Sequence, residues 1–254
     1  MNAKLLLQQG AIAAAFVAAW VLGDVTHWFN PDVIPPIGDV VSAFATIWAR
    51  PEFLPALLGT LGDALAGVAI AALCGIPLGM LIGMFPAVEI STRTLVDFGR
   101  SFPVIALMPI LVLIIGSTHA MKITIVAIAC FFPILLQTIY GARRLEPTIV
   151  DTVRAYRIPF MLKFFRVILP AALPFIATGI RIAVSVSVLV AVGVEVVINI
   201  TGFGVETNLA RINNQVAAAF AYVTCAGILG LAMTGAWELV EARLLRWHRR
   251  AAAA

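Results

Sequence analysis

The sequence predicts an all-α integral membrane protein with about six transmembrane helices, on three observations. Of its 254 residues, 62% are hydrophobic and only 12% charged, where soluble domains carry roughly 45–50% and about 25%. The mean hydropathy is +1.04, and apolar runs of spanning length recur along the chain. The Lys and Arg residues fall almost entirely in the segments on one side of those runs. So few charges cannot cover the apolar surface of a water-soluble fold, so lipid must solvate most of the exterior.

A helix crosses the hydrocarbon core with about 20 apolar residues. On that measure the spans fall at about 5–25, 61–84, 100–118, 120–140, 173–200 and 216–240. The first reads as an uncleaved helix, since only Lys4 precedes it and no polar cleavage region follows its alanines. The stretch from His27 to Leu58 is too polar and proline-interrupted to span. Within it, Gly38 to Trp48 reads as an amphipathic helix with Val40, Val41, Phe44, Ile47 and Trp48 on its apolar side. Trp28 and Trp48 suit the outer interface. A tight turn near Ser117, His119 and Lys122 joins the third and fourth spans.

Orientation follows from the basic residues. With the N-terminus cytoplasmic, the inner segments hold Lys4, Arg93, Arg100, Arg143, Arg144, Arg154, Arg157, Lys163, Arg166, Arg243, Arg246, Arg249 and Arg250. The outer segments hold Arg50, Lys122 and Arg211, and Arg181 lies within the fifth span. This places both termini in the cytoplasm and requires an even number of spans. Arg181 is expected to snorkel toward the inner leaflet.

The formal charge of +4 does not indicate a nucleic-acid partner, because the basic residues lie in short connectors rather than on a soluble face. Cys74, Cys130 and Cys225 lie inside apolar runs with neither zinc nor disulfide spacing. No group of His, Cys and acidic residues suggests a metal site or a catalytic triad, so no catalytic or metal residue is assigned. The chain has no Gly-x-x-x-x-Gly-Lys-Ser/Thr loop and is not expected to bind or hydrolyse ATP itself.

Two ionisable groups stand in apolar surroundings. Glu195, deep in the fifth run, reads equally as a pathway or gate residue and as a member of an ion pair near the outer mouth. Asp63 is expected at the outer interface, and His119 in a solvated turn. Pro103 and Pro109 indicate a kinked helix beside a pathway, with Pro103 and Met108 lining it. A carrier driven by an ion gradient would use Glu195 and Asp63 for coupling, but the chain has no convincing inverted repeat.

The connector from Gly141 to Leu169 combines many charges with Phe160, Met161, Leu162, Phe164, Phe165, Val167 and Ile168. A plain linker does not need that apolar content. Pro147 can open one short helix and Pro159 a second, and such a helix–break–helix with an apolar face suits docking into a groove of another protein.

Here the sequence resembles the permeases of binding-protein-dependent ABC importers. Their cytoplasmic loop reads Glu-Ala-Ala, three residues, Gly, and later a Phe and Leu-Pro. Aligned on Leu169-Pro170, Asp151-Thr152-Val153 takes the Glu-Ala-Ala place, Phe164 the aromatic place and Arg157 the glycine place. Arginine adopts a positive φ less readily than glycine. Either the turn uses another geometry led by Ile158-Pro159, or the helix ends earlier. Asn30 to Pro36, Gly75-Ile76-Pro77-Leu78-Gly79, Arg100-Ser101-Phe102-Pro103, Phe131-Phe132-Pro133, Val194-Glu195 and Gly202-Phe203-Gly204 resemble the branch importing sulfonates, taurine and nitrate.

The resemblance implies a type I importer fold in one transmembrane domain over 1–254, with a core at 61–240 and a coupling loop at 141–170. It implies a multi-pass permease in the bacterial inner membrane, working with ATP-binding-cassette ATPase subunits that hold ATP and Mg, a solute-binding protein and a second permease copy. Asp151, Arg154, Tyr156, Arg157, Phe164 and Phe165 are the implied ATPase-coupling residues, with Asp151 capping the first loop helix or pairing with a basic group on the ATPase. Glu195, Pro103 and Met108 are assigned to the translocation pathway of a small organic anion.

Overall fold

A computed structural model describes residues 3–246 apart from Phe29 and Glu146. The described residues form helices and connectors without strands. In chain order the helices are α1 (Ala3–Val25), α2 (Ile37–Ile47), α3 (Phe53–Met84), α4 (Pro86–Ser101), α5 (Met108–Ile115), α6 (His119–Arg143), α7 (Pro147–Ala155), α8 (Phe160–Lys163), α9 (Leu169–Ile198), α10 (Phe203–Ile212) and α11 (Val216–Leu244). A 3-10 turn, Val104–Leu107, precedes α5, and a π segment, Phe164–Ile168, joins α8 to α9.

Local chemistry sets many of the boundaries. Pro35 and Pro36 stop the preceding chain and Asp39 favours the first turn of α2. Thr118 caps α6 by accepting the Met121 N–H at 3.3 Å. Gly116 (φ 79°) closes α5, and left-handed Asn199 (φ 56°) closes α9.

The expected six spans become four helical stretches long and apolar enough to cross unaided: Phe53–Met84, His119–Arg143, Phe160–Ile198 and Val216–Leu244, among the described residues. The expected third span is broken, with Pro86–Ser101 meeting Val104–Ile115 at 83°. Proline explains the break. Pro103 supplies no N–H and forces Phe102 into extended backbone (φ −74°, ψ 129°). The fifth span starts earlier than expected, because α8 and the π segment run straight into α9. In α1 the apolar stretch is Gly10–Val25, and the whole helix of 23 residues is about 34 Å long, a crossing length.

The centre is a three-helix layer in which α6 lies between α3 and α9. Glycines permit the close α3–α6 approach: a Cβ on Gly67 would sit 2.4 Å from Val126, and one on Gly79 2.6 Å from Thr138. The main apolar core gathers Phe53, Val68, Ile125, Val126, Ala183, Val194, Phe203 and Tyr222, and Met80, Ala142, Ile168, Ala172 and Ile176 form a second cluster toward the other end. Leu73, Leu113, Leu189 and Leu231 are among many large apolar side chains left exposed on the helices, as lipid solvation requires. Of the residues expected on the apolar side of α2, Val40 and Ile47 are buried, whereas Val41 is exposed.

The two ends of this layer differ in charge. Arg93, Arg100, Arg143, Arg144, Arg157, Lys163, Arg166, Arg243 and Arg246 lie at the end that carries α7 and α8, here the basic end. Arg50, Lys122 and Arg211 lie at the opposite end. Lys4, Arg154, Arg249 and Arg250, which also entered the orientation argument, have side chains outside the described residues.

Candidate functional site

At the basic end, α7 stops in a tight cap. The Tyr156 N–H donates to the Thr152 carbonyl and the Ile158 N–H to the Val153 carbonyl, both at 3.1 Å. The residue between them, Arg157, has φ 49°. This six-to-one closure around a left-handed residue is the Schellman geometry, with buried Val153 beneath half-buried Ile158. Arginine therefore keeps the backbone shape of glycine at this position, contrary to both alternatives drawn from the sequence.

The cap turns the chain so that Tyr156 (79% exposed), Phe160, Met161 (68%), Leu162 and Phe165 (59%) present an apolar surface beside Lys163 and Arg166. Phe164 is different. It stacks edge-on against Phe165 at 5.0 Å between centroids but packs against the Met80–Ile176 cluster. Asp151 is exposed and is the fifth residue of α7, so it cannot cap that helix. The Arg154 side chain lies outside the described residues.

At the opposite end, Glu195 has no solvent exposure and sits in a dense polar network. The Thr60 hydroxyl donates to its carboxylate at 2.9 Å, Lys122 Nζ donates at 2.9 Å, and the Gly204 N–H donates at 2.8 Å. The Phe203 N–H donates to Thr60 Oγ1 at 3.0 Å. The carboxylate thus lies against the N-terminus of α10, where unpaired N–H groups and the helix dipole favour an anion. Gly202 leaves room for it, since a Cβ there would fall 2.1 Å from Glu195 Cδ.

Lys122 is also without exposure. Its ammonium reaches Asp63 Oδ2 at 2.6 Å and the carbonyls of Gly59 and Thr201 at 3.3 and 3.2 Å. His119 Nδ1 meets the same Asp63 oxygen at 2.6 Å. His119 is exposed, as expected of a turn residue, yet also meets this network, whereas the turn lysine is buried in it and Asp63, expected at the interface, is a buried partner. One sequence signal points there: two acids in apolar runs need a cation, and of the three outer basic residues Lys122 alone leads directly into an apolar span.

The remaining assigned residues do not join either cluster. Pro103 is exposed at the break before α5, and Met108 is buried in the main core. Arg181 does not reach for lipid phosphate; it forms a bidentate pair with Glu241, with Nε at 3.0 Å. Near the Glu195 end, a hollow lined by Arg50, Glu52, Glu206 and Tyr222 faces solvent. Burial, with Glu52 alongside, raises the Glu206 carboxyl above its usual range, and Arg50 opposes that shift. Among the described residues no group of His, Cys, Asp and Glu is arranged to hold a metal.

Residues 75–246 match the family described as binding-protein-dependent transport system inner membrane component. The putative aliphatic sulfonates transport permease protein SsuC of Escherichia coli K12 is 30% identical over 237 residues, covering 93% of this chain and 90% of that protein. The taurine transport system permease protein TauC of the same organism is 23% identical over 253 residues, covering 98% and 92%. Among solved structures, the MetNI methionine ABC transporter in an inward-facing conformation superposes with a TM-score of 0.67 at 17% identity, over 76% of this chain and 95% of the matched chain. At that identity the likeness concerns the fold.

Proposed function

This chain belongs to the family of inner membrane components of binding-protein-dependent transport systems, and we propose that it forms the pathway for a small organic anion of the sulfonate or taurine type and couples it to a separate ATPase. The relatives handling aliphatic sulfonates and taurine support the substrate class. ATP and Mg would be bound by the ATPase, a solute-binding protein would deliver cargo at the Glu195 end, and a second copy of the chain would complete the pathway. The basic end then faces the cytoplasm, together with both termini.

The observation that carries the coupling role is the exposed apolar surface of Tyr156, Phe160, Met161, Leu162 and Phe165. Large side chains held half or more exposed on a charged connector are left uncovered by the described residues, and a groove on another protein would bury them. The surface is also well placed to transmit force. Helix runs without a break from Phe160 to Ile198, so a push on α8 acts directly on α9 and on the Glu195 network at its far end. Such a rod suits switching between two discrete packings.

A carrier coupled to protons or sodium would need Glu195 and Asp63 accessible to the coupling ion. Instead Lys122 occupies both carboxylates, which favours the ATPase-driven reading.

The test is a double substitution confined to exposed positions, Met161→Asp with Phe165→Asp. The variant is expected to insert in the membrane normally and to lose its co-purifying ATPase. Full ATPase recovery with substrate-stimulated hydrolysis would sink the coupling assignment. Phe164 is left unchanged because it packs into the molecule, so an aspartate there would confuse docking with folding.

A further inference from the structure

Between α6 and α9 at the basic end lies a cavity of about 380 Å³ lined by Gln137, Tyr140, Arg143, Arg144 and Phe175. Its polar equipment is two guanidinium groups, which only donate, with a phenol and an amide that can donate or accept, and no carboxylate lines it. Arg143 is paired with Glu89 from α4. Arg144 has no carboxylate within ion-pair reach among the described residues. Its guanidinium lies over the Phe175 ring, 5.9 Å from the centroid, which holds the fork in place without neutralising it. Among the described residues the pocket therefore carries one cation, Arg144, without an acidic partner and at a fixed position.

What lies next to it narrows the ligand. Phe175, Ile182 and Leu189 recur at seven-residue intervals on α9, so they share a side of the helix. Ile182 is 40% and Leu189 75% exposed. This stripe leads from the pocket toward the middle of the membrane over about 21 Å, the reach of an extended acyl chain. A soluble anion would use the charges and leave the stripe idle; a phospholipid uses both. Basic pockets between membrane helices on the cytoplasmic side are suited to anionic headgroups.

We propose that this pocket holds the phosphate headgroup of an anionic phospholipid, with an acyl chain along the Phe175–Ile182–Leu189 stripe. Arg144 and Tyr140 are the contacting groups, and Arg143 serves chiefly to tie α4 to α6 through Glu89.

Native mass spectrometry of the purified full-length protein, after exchange into phosphatidylglycerol or phosphatidylcholine, reads this directly. The unaltered protein should retain phosphatidylglycerol in preference to phosphatidylcholine. Arg144→Gln with Tyr140→Phe should lower phosphatidylglycerol retention about fivefold or more, the factor expected for one basic contact. Arg243→Gln, which removes an exposed charge from α11 at the same end, should leave retention unchanged. The proposal is overturned by equal retention of the two lipids, by the same loss in the Arg243 variant, or by displacement of the lipid with millimolar inorganic phosphate, which would mark a soluble-anion site.

Discussion

Lys122 and Glu195 are ionisable groups with no exposed surface, so each is tolerable only in the presence of the other and of the surrounding donors and carbonyls. Replacing Lys122 with Met would strand Glu195 and Asp63 and should destabilise the fold by roughly 3–5 kcal/mol. Adding Glu195→Gln should recover part of that loss, because the glutamine can keep the Thr60 and Gly204 hydrogen bonds without a charge. Denaturation of the two single variants and the double variant in detergent gives the cycle; strict additivity would mean the pair is not coupled. Arg157 makes the contrary point about a backbone. Its φ of 49° costs a side-chain-bearing residue roughly 1–2 kcal/mol, while glycine would lose about 0.4–1 kcal/mol through greater freedom in the unfolded chain. Arg157→Gly should thus be neutral to mildly stabilising, and Arg157→Val clearly destabilising, as thermal unfolding midpoints will report; the reverse order would mean the cap does not form. The sequence exposed this position as anomalous but not its outcome, since residue type sets the cost of a left-handed conformation and the surrounding hydrogen bonds decide whether it is met.

Helices were legible where one run of apolar residues formed one element. The second, fourth, fifth and sixth expected spans correspond to α3, α6, α9 and α11 because about 20 apolar residues leave lipid-solvated backbone no alternative to helix. The third was not legible as drawn: hydropathy averages over a window and does not register that Pro103 has turned the chain by 83°. Contact between elements was only half visible. Gly75 and Gly79 were recognisable as small residues suited to packing, yet which helix they meet depends on tertiary arrangement. Their positions against α6 allow a sharp comparison. A Cβ on Gly79 would fall 2.6 Å from Thr138 Cβ and 2.9 Å from the Leu135 carbonyl oxygen, whereas one on Gly62 would meet nothing within 4 Å. Gly79→Ala should force α3 and α6 apart at about 1–3 kcal/mol. Gly62→Ala, on the same helix, should be neutral or stabilising by up to about 1 kcal/mol. Equal stabilities for the two variants would show that α3 and α6 do not approach as closely as described.

Taken whole, the molecule is a bundle with the exposed apolar surface at its basic end and the Glu195 network at the other, and the proposed coupling requires the basic end to face the cytoplasm. The distribution of Lys and Arg predicts the basic end inside, and the proposed docking of an ATPase on the α7–α8 surface requires the same. Both sides can be probed in intact cells with a membrane-impermeant thiol reagent. Cys130 and Cys225 are buried and Cys74 is exposed, so Cys74→Ala provides a quiet background. Tyr156→Cys, at a position 79% exposed on the α7 cap, should stay unlabelled until the membrane is opened. Ile212→Cys, 63% exposed at the end of α10, should label at once. Inverted labelling would turn the protein over and leave the α7–α8 surface facing away from any ATPase, so the coupling role and the pathway direction would fall together. Labelling of both positions from outside would instead remove a crossing between them. Since α10 and the α7 cap are linked through the continuous Phe160–Ile198 helix, that result would contradict the helix itself as a membrane span.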